Sequence, residues 1–426
     1  MGGRFLFTTL GSLGDLHPYI AVGIGLRERG HTVTIASSEI YRAKVEGEGM
    51  IFRPLRPNLP DITGDAEIWR RIMHPRTGPE FIFRKLIMPW LEQSFEDTVA
   101  AARESDVLVG HVIAFATPTV AELLKKRWMS IVLQPSIFLS AHDPPALAGA
   151  PYLAPLHGLI PGFTQLFFRF ARRVTRSWGD PINDLRRRLG LGLFLNPVLD
   201  DMFSPWGTQA WFSHVLARPQ ADWPARTVVT GFPFYDKLEP GQGLSAELAE
   251  FLDAGPSPVV FTLGSTAVFD AGTFYNESLS AVGKTGCRAV LLVGQDPRNK
   301  PSGPVPDNVF VAEYAPYSEL LPRAAATVHQ GGVGTTAQAL RSGRPMIVVP
   351  CCNDQPDNGA RVRRLGAGRV IPRRKYRAER VAKELEILLS DEGYREAATQ
   401  AAREMARENG VQTACEGLEA FIAQQY

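Results

Sequence analysis

The stretch Thr327–Asn358, TVHQGGVGTTAQALRSGRPMIVVPCCNDQPDN, decides the fold. A β-type run over Ala326–His329 enters a glycine-rich turn, Gln330-Gly331-Gly332-Val333-Gly334, followed by Thr335 and a helix-forming segment. A second apolar run, Met346–Val349, then leads through a proline to Asp354-Gln355. Glycines at the start of a helix free backbone N–H groups, and the helix dipole adds to their preference for an anion. An acid–amide pair at the mouth of the next strand suits sugar hydroxyls. Successive βα loops that grip phosphate and hydroxyls describe a sugar-nucleotide site on a doubly wound parallel sheet.

The same alternation extends in both directions. Strands are expected at Val259–Leu263, Ala289–Val293 and Val309–Ala312 before the opening stretch, and at Arg369–Ile371 after it. An earlier series has strands at Arg4–Leu10, His31–Ala36, Ile51–Pro54, Asp106–Gly110 and Ser130–Leu133. The segment Phe81–Phe95 reads as a long helix walling this first unit, and periodicity breaks between about 141 and 223. Strands alternating with helices imply parallel sheets with right-handed crossovers. The expected organisation is an α/β chain of two facing Rossmann-like domains with a cleft between them. Residues 1–229 form the N-terminal, acceptor-side domain, 230–244 a linker that includes Leu238–Gly243, and 245–410 the donor-side domain. A length of 426 residues suits two cores better than one.

Composition narrows the function. Forty-six basic against 44 acidic residues leave a net charge of +2, which argues against a nucleic-acid partner. Cys287, Cys351, Cys352 and Cys415 show no metal-ligand spacing and read as free thiols in a reducing compartment. Met1 runs directly into a strand pattern and no apolar run reaches membrane-spanning length, so the expectation is a cytoplasmic protein whose contact with a membrane would be peripheral. Leu156–Trp178 mixes aromatics with Arg169, Arg172, Arg173 and Arg176. It reads either as a basic amphipathic helix on a membrane surface or as a helix whose aromatics line an apolar pocket; the modest net charge favours the second. The arginines between Arg361 and Lys375 read as a solvated face.

Other candidate residues sit at strand ends. Thr262-Leu263-Gly264-Ser265-Thr266 is a second strand-then-glycine turn, and Tyr314-Ala315 follow a strand where an aromatic ring can stack on a base. His329, just before the glycine turn, can donate to a pyrophosphate oxygen; Thr335 can bond phosphate or cap its helix. In the first βα loop, Asp15 and His17 stand ahead of Pro18, and His111 follows the strand Asp106–Gly110. A carboxylate or imidazole there can act as a general base, although an acid in such a loop is more commonly a helix cap. Trp69, Phe81, Phe83, Trp90, Phe138 and Phe167 suggest an apolar acceptor.

HQGGVGTT with PCCNDQPDN, and the opening GSLGDLHPYIAVGIGLRERGH, resemble the GT-B glycosyltransferases of the UDP-glycosyltransferase superfamily. The segments QPSIFLSAHDPP, TGFPFYD, VVFTLGST and YAPYSELLP resemble its bacterial branch, which includes the rhamnosyltransferase of rhamnolipid synthesis. The resemblance implies an inverting, metal-independent hexosyl transfer from a UDP- or dTDP-linked sugar, as co-substrate, to a hydrophobic acceptor such as a phenol, polyketide, sterol or lipid. No other cofactor is implied. His329, Gly331, Gly332, Gly334, Thr335, Ser265 and Thr266 would surround the pyrophosphate, Asp354 and Gln355 the sugar, and Tyr314 with Ala315 the base. Asp15 takes the place of the family's catalytic histidine, and His111 falls near that of its partner aspartate. The last helix, about 411–426, would return to brace the N-terminal domain, in a monomer or weak homodimer. Where many relatives carry a ribose-binding glutamate this chain has Ala337 and Gln338, which leaves the nucleotide open. A sugar-nucleotide-binding partner without activity, or an epimerase of the same architecture, are the alternatives.

Overall fold

The computed structural model describes residues 2–58, 66–150, 156, 160, 162–236 and 243–424. Seven strands form the first sheet: β1 (Arg4–Thr8), β2 (Thr32–Ser37), β3 (Ile51–Pro54), β4 (Val107–His111), β5 (Trp128–Val132), β6 (Thr208–Ala210) and β7 (Thr227–Val229). Six form the second: β8 (Val259–Thr262), β9 (Ala289–Leu292), β10 (Val309–Ala312), β11 (Ala326–His329), β12 (Met346–Val348) and β13 (Gly368–Val370). Their orders are β3-β2-β1-β4-β5-β6-β7 and β10-β9-β8-β11-β12-β13, and every pairing is parallel. Helices cover both faces of such sheets, so the central strands are apolar throughout: Phe5, Leu6 and Phe7 in β1, and Val259, Val260 and Phe261 in β8, are all buried.

Six helices shape the site and the surfaces around it: α1 (Leu13–Glu28), α2 (Leu91–Ala102), α3 (Phe163–Thr175), α4 (Val333–Arg341), α5 (Gln355–Arg364) and α6 (Gly410–Ala423). Strand order reverses between β1 and β4 in the first sheet and between β8 and β11 in the second. Ligands of open α/β sheets bind at the carboxyl ends of strands at that reversal. The loops after β1, β4, β8 and β11 therefore position the site.

The chain crosses between domains twice, side by side. Thr230 and Gly231 bond to Ala210 and Phe212 of the first domain, while Asp236 accepts from Gln338 of α4 at 3.0 Å. The return crossing at Glu408–Gly410 lies against Gly231 and bonds His214. Residues 237–242 of the expected linker, and the last two of the expected final helix, lie outside the described residues. α6 packs on α1: Ala414, Cys415, Leu418 and Phe421 share one core with Leu16, Tyr19 and Ile20, and Glu419 bonds Arg29 (2.6 Å) and His31 (3.0 Å).

The structure departs from the sequence reading in four places. β6 falls in the region of broken periodicity and β7 just beyond it, and neither is among the expected strands; at three residues each they are too short to show alternation. The long helix expected over Phe81–Phe95 is instead a wide π-type coil (Ile82–Ile87) and a tight turn (Met88–Trp90) before α2, with Pro89 at the break. The arginines of 361–375 are not a uniformly solvated face: Arg361 is buried, Arg369 pairs with Glu384, and Arg373 donates to the carbonyls of Asp270 and Ala271. Several expected acceptor-lining aromatics are core or interdomain residues. Phe138 stacks on Trp223 at 4.0 Å, and Trp69 crosses to the second domain to stack on Phe269 at 5.0 Å.

Candidate active site

β1 ends in a turn at Gly11, whose φ of +123° is one that side-chain-bearing residues avoid; a Cβ there would meet Asp15 Oδ2 at 2.3 Å. Ser12 then caps α1. Its Oγ accepts from Gly14 N (3.2 Å), while Asp15 Oδ2 accepts from Ser12 N (2.7 Å) and Ser12 Oγ (3.1 Å). Asp15 is thus the reciprocal acid of a capping box, and both of its bonds to Ser12 fall on Oδ2. The cap holds this carboxylate at the switch point of the first sheet, half-buried.

His111, the last residue of β4, is buried with its ring 6.2 Å from that of Tyr19. Among the described residues neither ring nitrogen has a hydrogen-bond partner, and the Tyr19 hydroxyl is likewise unpartnered. Burial lowers the His111 pKa, while the Asp15 charge opposes the shift. Burial and then Asp15 raise that of Tyr19. Asp15 and His111 are therefore coupled by charge, without a direct hydrogen bond. His17, two positions along α1 from Asp15, turns to a different neighbour: its ring lies 5.0 Å from that of Tyr235. Burial and then the Lys44 charge lower its pKa to about 4.

On the donor side the residues expected to hold phosphate are arranged in two tiers. Gly331 (φ +91°) makes the turn, and a Cβ there would meet Val348 at 2.5 Å. α4 starts at Gly332 without a side-chain cap, and the space beside Gly334 is open. Thr335 Oγ1 accepts from Gln330 Nε2 at 3.4 Å, and Ser265 is exposed beside Thr266 on the loop after β8. His329 is different. Its ring is buried, Nδ1 accepts from Gly331 N at 3.1 Å, and Nε2 faces Met346 Sδ at 3.3 Å. Burial alone lowers its pKa to about 3, so the ring is neutral, with its proton on Nε2. In this structure the ring holds the glycine turn through the Gly331 amide, and its Nε2 proton faces Met346.

Asp354 stands at the start of α5 and reaches across to α4. Its Oδ2 accepts from Val333 N (3.1 Å) and Asn358 Nδ2 (2.7 Å). Burial chiefly, and the negative charge of Asp15, push its pKa up to about 7. Asp15 stands at the switch point of the first sheet, and Asp354 beside the glycine turn at that of the second. Gln355 Oε1 accepts from the amides of Cys351 (2.8 Å) and Cys352 (3.3 Å). Tyr314 is 65% exposed beyond β10, whereas Ala315 behind it is buried. Asn358 is a site residue that sequence reasoning misses. Fully buried, it donates to both Gly331 O (2.9 Å) and Asp354 and so ties the two donor loops together. Its spacing of four from Asp354 on a helix is the available signal. Among the described residues no group of three or more His, Cys, Asp or Glu side chains could hold a metal ion.

Below the site a buried ion cluster joins the domains. Arg361 Nε bonds Asp357 (2.7 Å), and its Nη1 bonds Asp143 (2.5 Å) and Leu216 O (3.0 Å). Burial opposes the Asp143 charge, but Arg361 and Arg364 outweigh it and hold the carboxyl below its ordinary value.

Two facing parallel sheets, each presenting a glycine turn and functional side chains at its switch point, are the architecture of the GT-B glycosyltransferases. Residues 5–122 match the family model described as glycosyltransferase family 28 N-terminal domain, and residues 277–420 the one described as erythromycin biosynthesis protein CIII-like, C-terminal domain. The chain is 33% identical over 421 residues to the O-mycaminosyltylonolide 6-deoxyallosyltransferase of Streptomyces fradiae, covering 97% of this chain and 96% of that one. It is 27% identical to the sterol 3-beta-glucosyltransferase of Debaryomyces hansenii over 97% of its own length, but it spans only 26% of that protein. Among solved structures, the kitacinnamycin glycosyltransferase superposes with a TM-score of 0.72 at 22% identity, covering 99% of this chain and 100% of that one. The glycosyltransferase VinC, in complex with dTDP, does so with a TM-score of 0.68 at 20% identity, with the same coverage. The chain belongs to the GT-B glycosyltransferases of the UDP-glycosyltransferase superfamily.

Proposed function

We propose that this glycosyltransferase moves a hexose, with inversion and without a metal ion, from a nucleoside diphosphate sugar to a hydroxyl of an apolar small molecule of the natural-product or sterol kind. The observation that carries the reading is the geometry of the two switch points: Asp15 fixed by its cap after β1, and Asp354 fixed beside the glycine turn after β11. The acceptor hydroxyl gives its proton to Asp15 as its oxygen bonds to the anomeric carbon. The bond from that carbon to the diphosphate breaks, and the electron pair leaves with the diphosphate. The amides of Gly334 and Thr335 at the start of α4, with the Thr335 and Ser265 hydroxyls, offset the charge that develops there. Asp354 and Gln355 orient the sugar, and Tyr314 stacks on the base. His111, buried at the end of β4, is the neighbouring imidazole that would assist Asp15.

Of the two nucleotides, thymidine diphosphate is favoured. Ala337 is buried, and Gln338 is committed to Asp236 at 3.0 Å, so neither offers an acid to a 2′-hydroxyl. The dTDP held by the structurally similar VinC supports the same choice.

The test is Asp15→Asn with a panel of donors and hydroxylated acceptors. Transfer should fall about 10²–10⁴-fold while thermal stabilisation by the diphosphate persists. dTDP should stabilise both proteins more than UDP. Near-normal turnover of the variant would remove Asp15 as the base, and donor conversion without any acceptor would point to an epimerase.

A further inference from the structure

Helix α3 matches neither a core helix nor a pocket wall. Thr164 and Phe168 hold it to the first domain, but Leu166, Phe170 and Val174 are 67%, 63% and 49% exposed. At spacings of four residues they form one continuous apolar stripe along the outer face. Beside it, Leu195 is 77% exposed, and the next residue, Asn196, bonds its side-chain amide to Arg172 O at 3.0 Å, which anchors that segment to the helix. The expectation is a helix whose aromatics line a pocket and whose arginines are in water; here Phe168 is buried, and Leu166, Phe170 and Val174 are in water with the arginines.

The charge pattern is as one-sided as the apolar one. From Phe163 to Arg176 the chain carries Arg169, Arg172, Arg173 and Arg176 and no acid. Arg172 pairs with Asp200 at 2.8 Å; Arg169, Arg173 and Arg176 are exposed. A stripe of leucine, phenylalanine and valine flanked by arginines matches what lies flat in the headgroup region of a bilayer. It suits a second copy of the chain poorly, because a two-fold contact through this stripe would set four arginines against four with no acid from either helix. Among the described residues no helix is long and apolar enough to cross a membrane.

We propose that α3, with the Leu193–Leu195 segment, is a docking surface for an anionic lipid bilayer. The arginines meet lipid phosphates and the stripe sinks below them. The surface stands independently of the roles given to Asp15 and the donor loops. It would bring the first domain to the phase in which apolar acceptors collect.

Flotation of the full chain with vesicles of phosphatidylglycerol and phosphatidylcholine, against phosphatidylcholine alone, tests this. Binding to the anionic vesicles, weakened by salt, is expected. The double variant Leu166→Gln, Phe170→Gln should lose it about tenfold or more. The triple variant Arg169→Gln, Arg173→Gln, Arg176→Gln should lose the preference for anionic lipid on the order of a hundredfold. Either variant set is read only at an unchanged melting temperature, and each tests the surface without the other. Absence of wild-type flotation overturns the proposal, as does undiminished binding by a folded variant. So does a wild-type dimer that the double variant converts to monomer.

Discussion

Asp15 is a helix cap and a candidate base at once, and the two uses do not compete. One carboxylate oxygen takes the Ser12 amide and hydroxyl. The cap thereby removes the rotamer freedom that a general base would otherwise lose on binding its substrate. That this residue stands at a strand end is legible in the sequence, because glycine, serine and acid at that spacing start helices. The orientation of His329 is not legible. It depends on which ring nitrogen takes the Gly331 amide, and only the folded turn decides that. Asp354 has a measurable consequence. Its carboxyl stays protonated in the folded chain up to about pH 7, whereas in the unfolded chain it ionises near 4. Between those values the folded state binds more protons, so this group's contribution to stability falls as pH rises and is level above 7. Each pH unit of that window is worth roughly 1.4 kcal/mol at most. Asp354→Asn, which keeps an acceptor for Val333 N, should therefore gain on the wild type from pH 4 to 7 in urea melts. Parallel profiles for the two proteins would show that the carboxyl ionises normally in the folded chain.

Among the elements, α5 does the most joining. Asp354 and Gln355 stand at its start, Asn358 binds that start to the glycine turn, and Arg361 ties its middle to Asp143 of the other domain. The strands around it are readable because a parallel sheet buried on both faces writes itself as unbroken apolar runs, as in β8, β9 and β11. β6 and β7 are not, since three-residue strands carry no pattern of their own; β6 forms on the open edge of β5 and β7 on that of β6. Arg361 illustrates the same limit for side chains. In sequence it belongs to an arginine-rich run that resembles a solvated face; in the fold it is 2% exposed between two carboxylates supplied from far apart in the chain. Arg361→Ala would leave Asp357 buried without its counter-ion and should cost about 3–5 kcal/mol. Equilibrium unfolding in urea measures it. A loss below about 1 kcal/mol would place the cluster in the class of exposed ion pairs.

At the scale of the whole molecule, the last helix belongs by contact to the first domain. Arg127 donates to Phe421 O at 3.1 Å and Gln209 to Ala414 O at 3.2 Å, while Leu418 and Phe421 fill the core behind α1. Burying those two side chains stabilises by roughly 3–6 kcal/mol. That is comparable with the whole net stability of an ordinary domain, about 5–15 kcal/mol. Ending the chain after Asn409 should therefore unfold or loosen the first sheet while leaving the second, whose core uses none of α6, intact. Hydrogen exchange separates the outcomes: amides of β1, β2 and α1 should lose protection, and those of β8, β11 and α4 should keep it. Because α1 carries Asp15, transfer should vanish while dTDP still protects the donor loops. If instead both sheets lost protection together, the two domains would be one cooperative unit, held as such by the Arg361 cluster and the Trp69–Phe269 stack rather than by the returning helix.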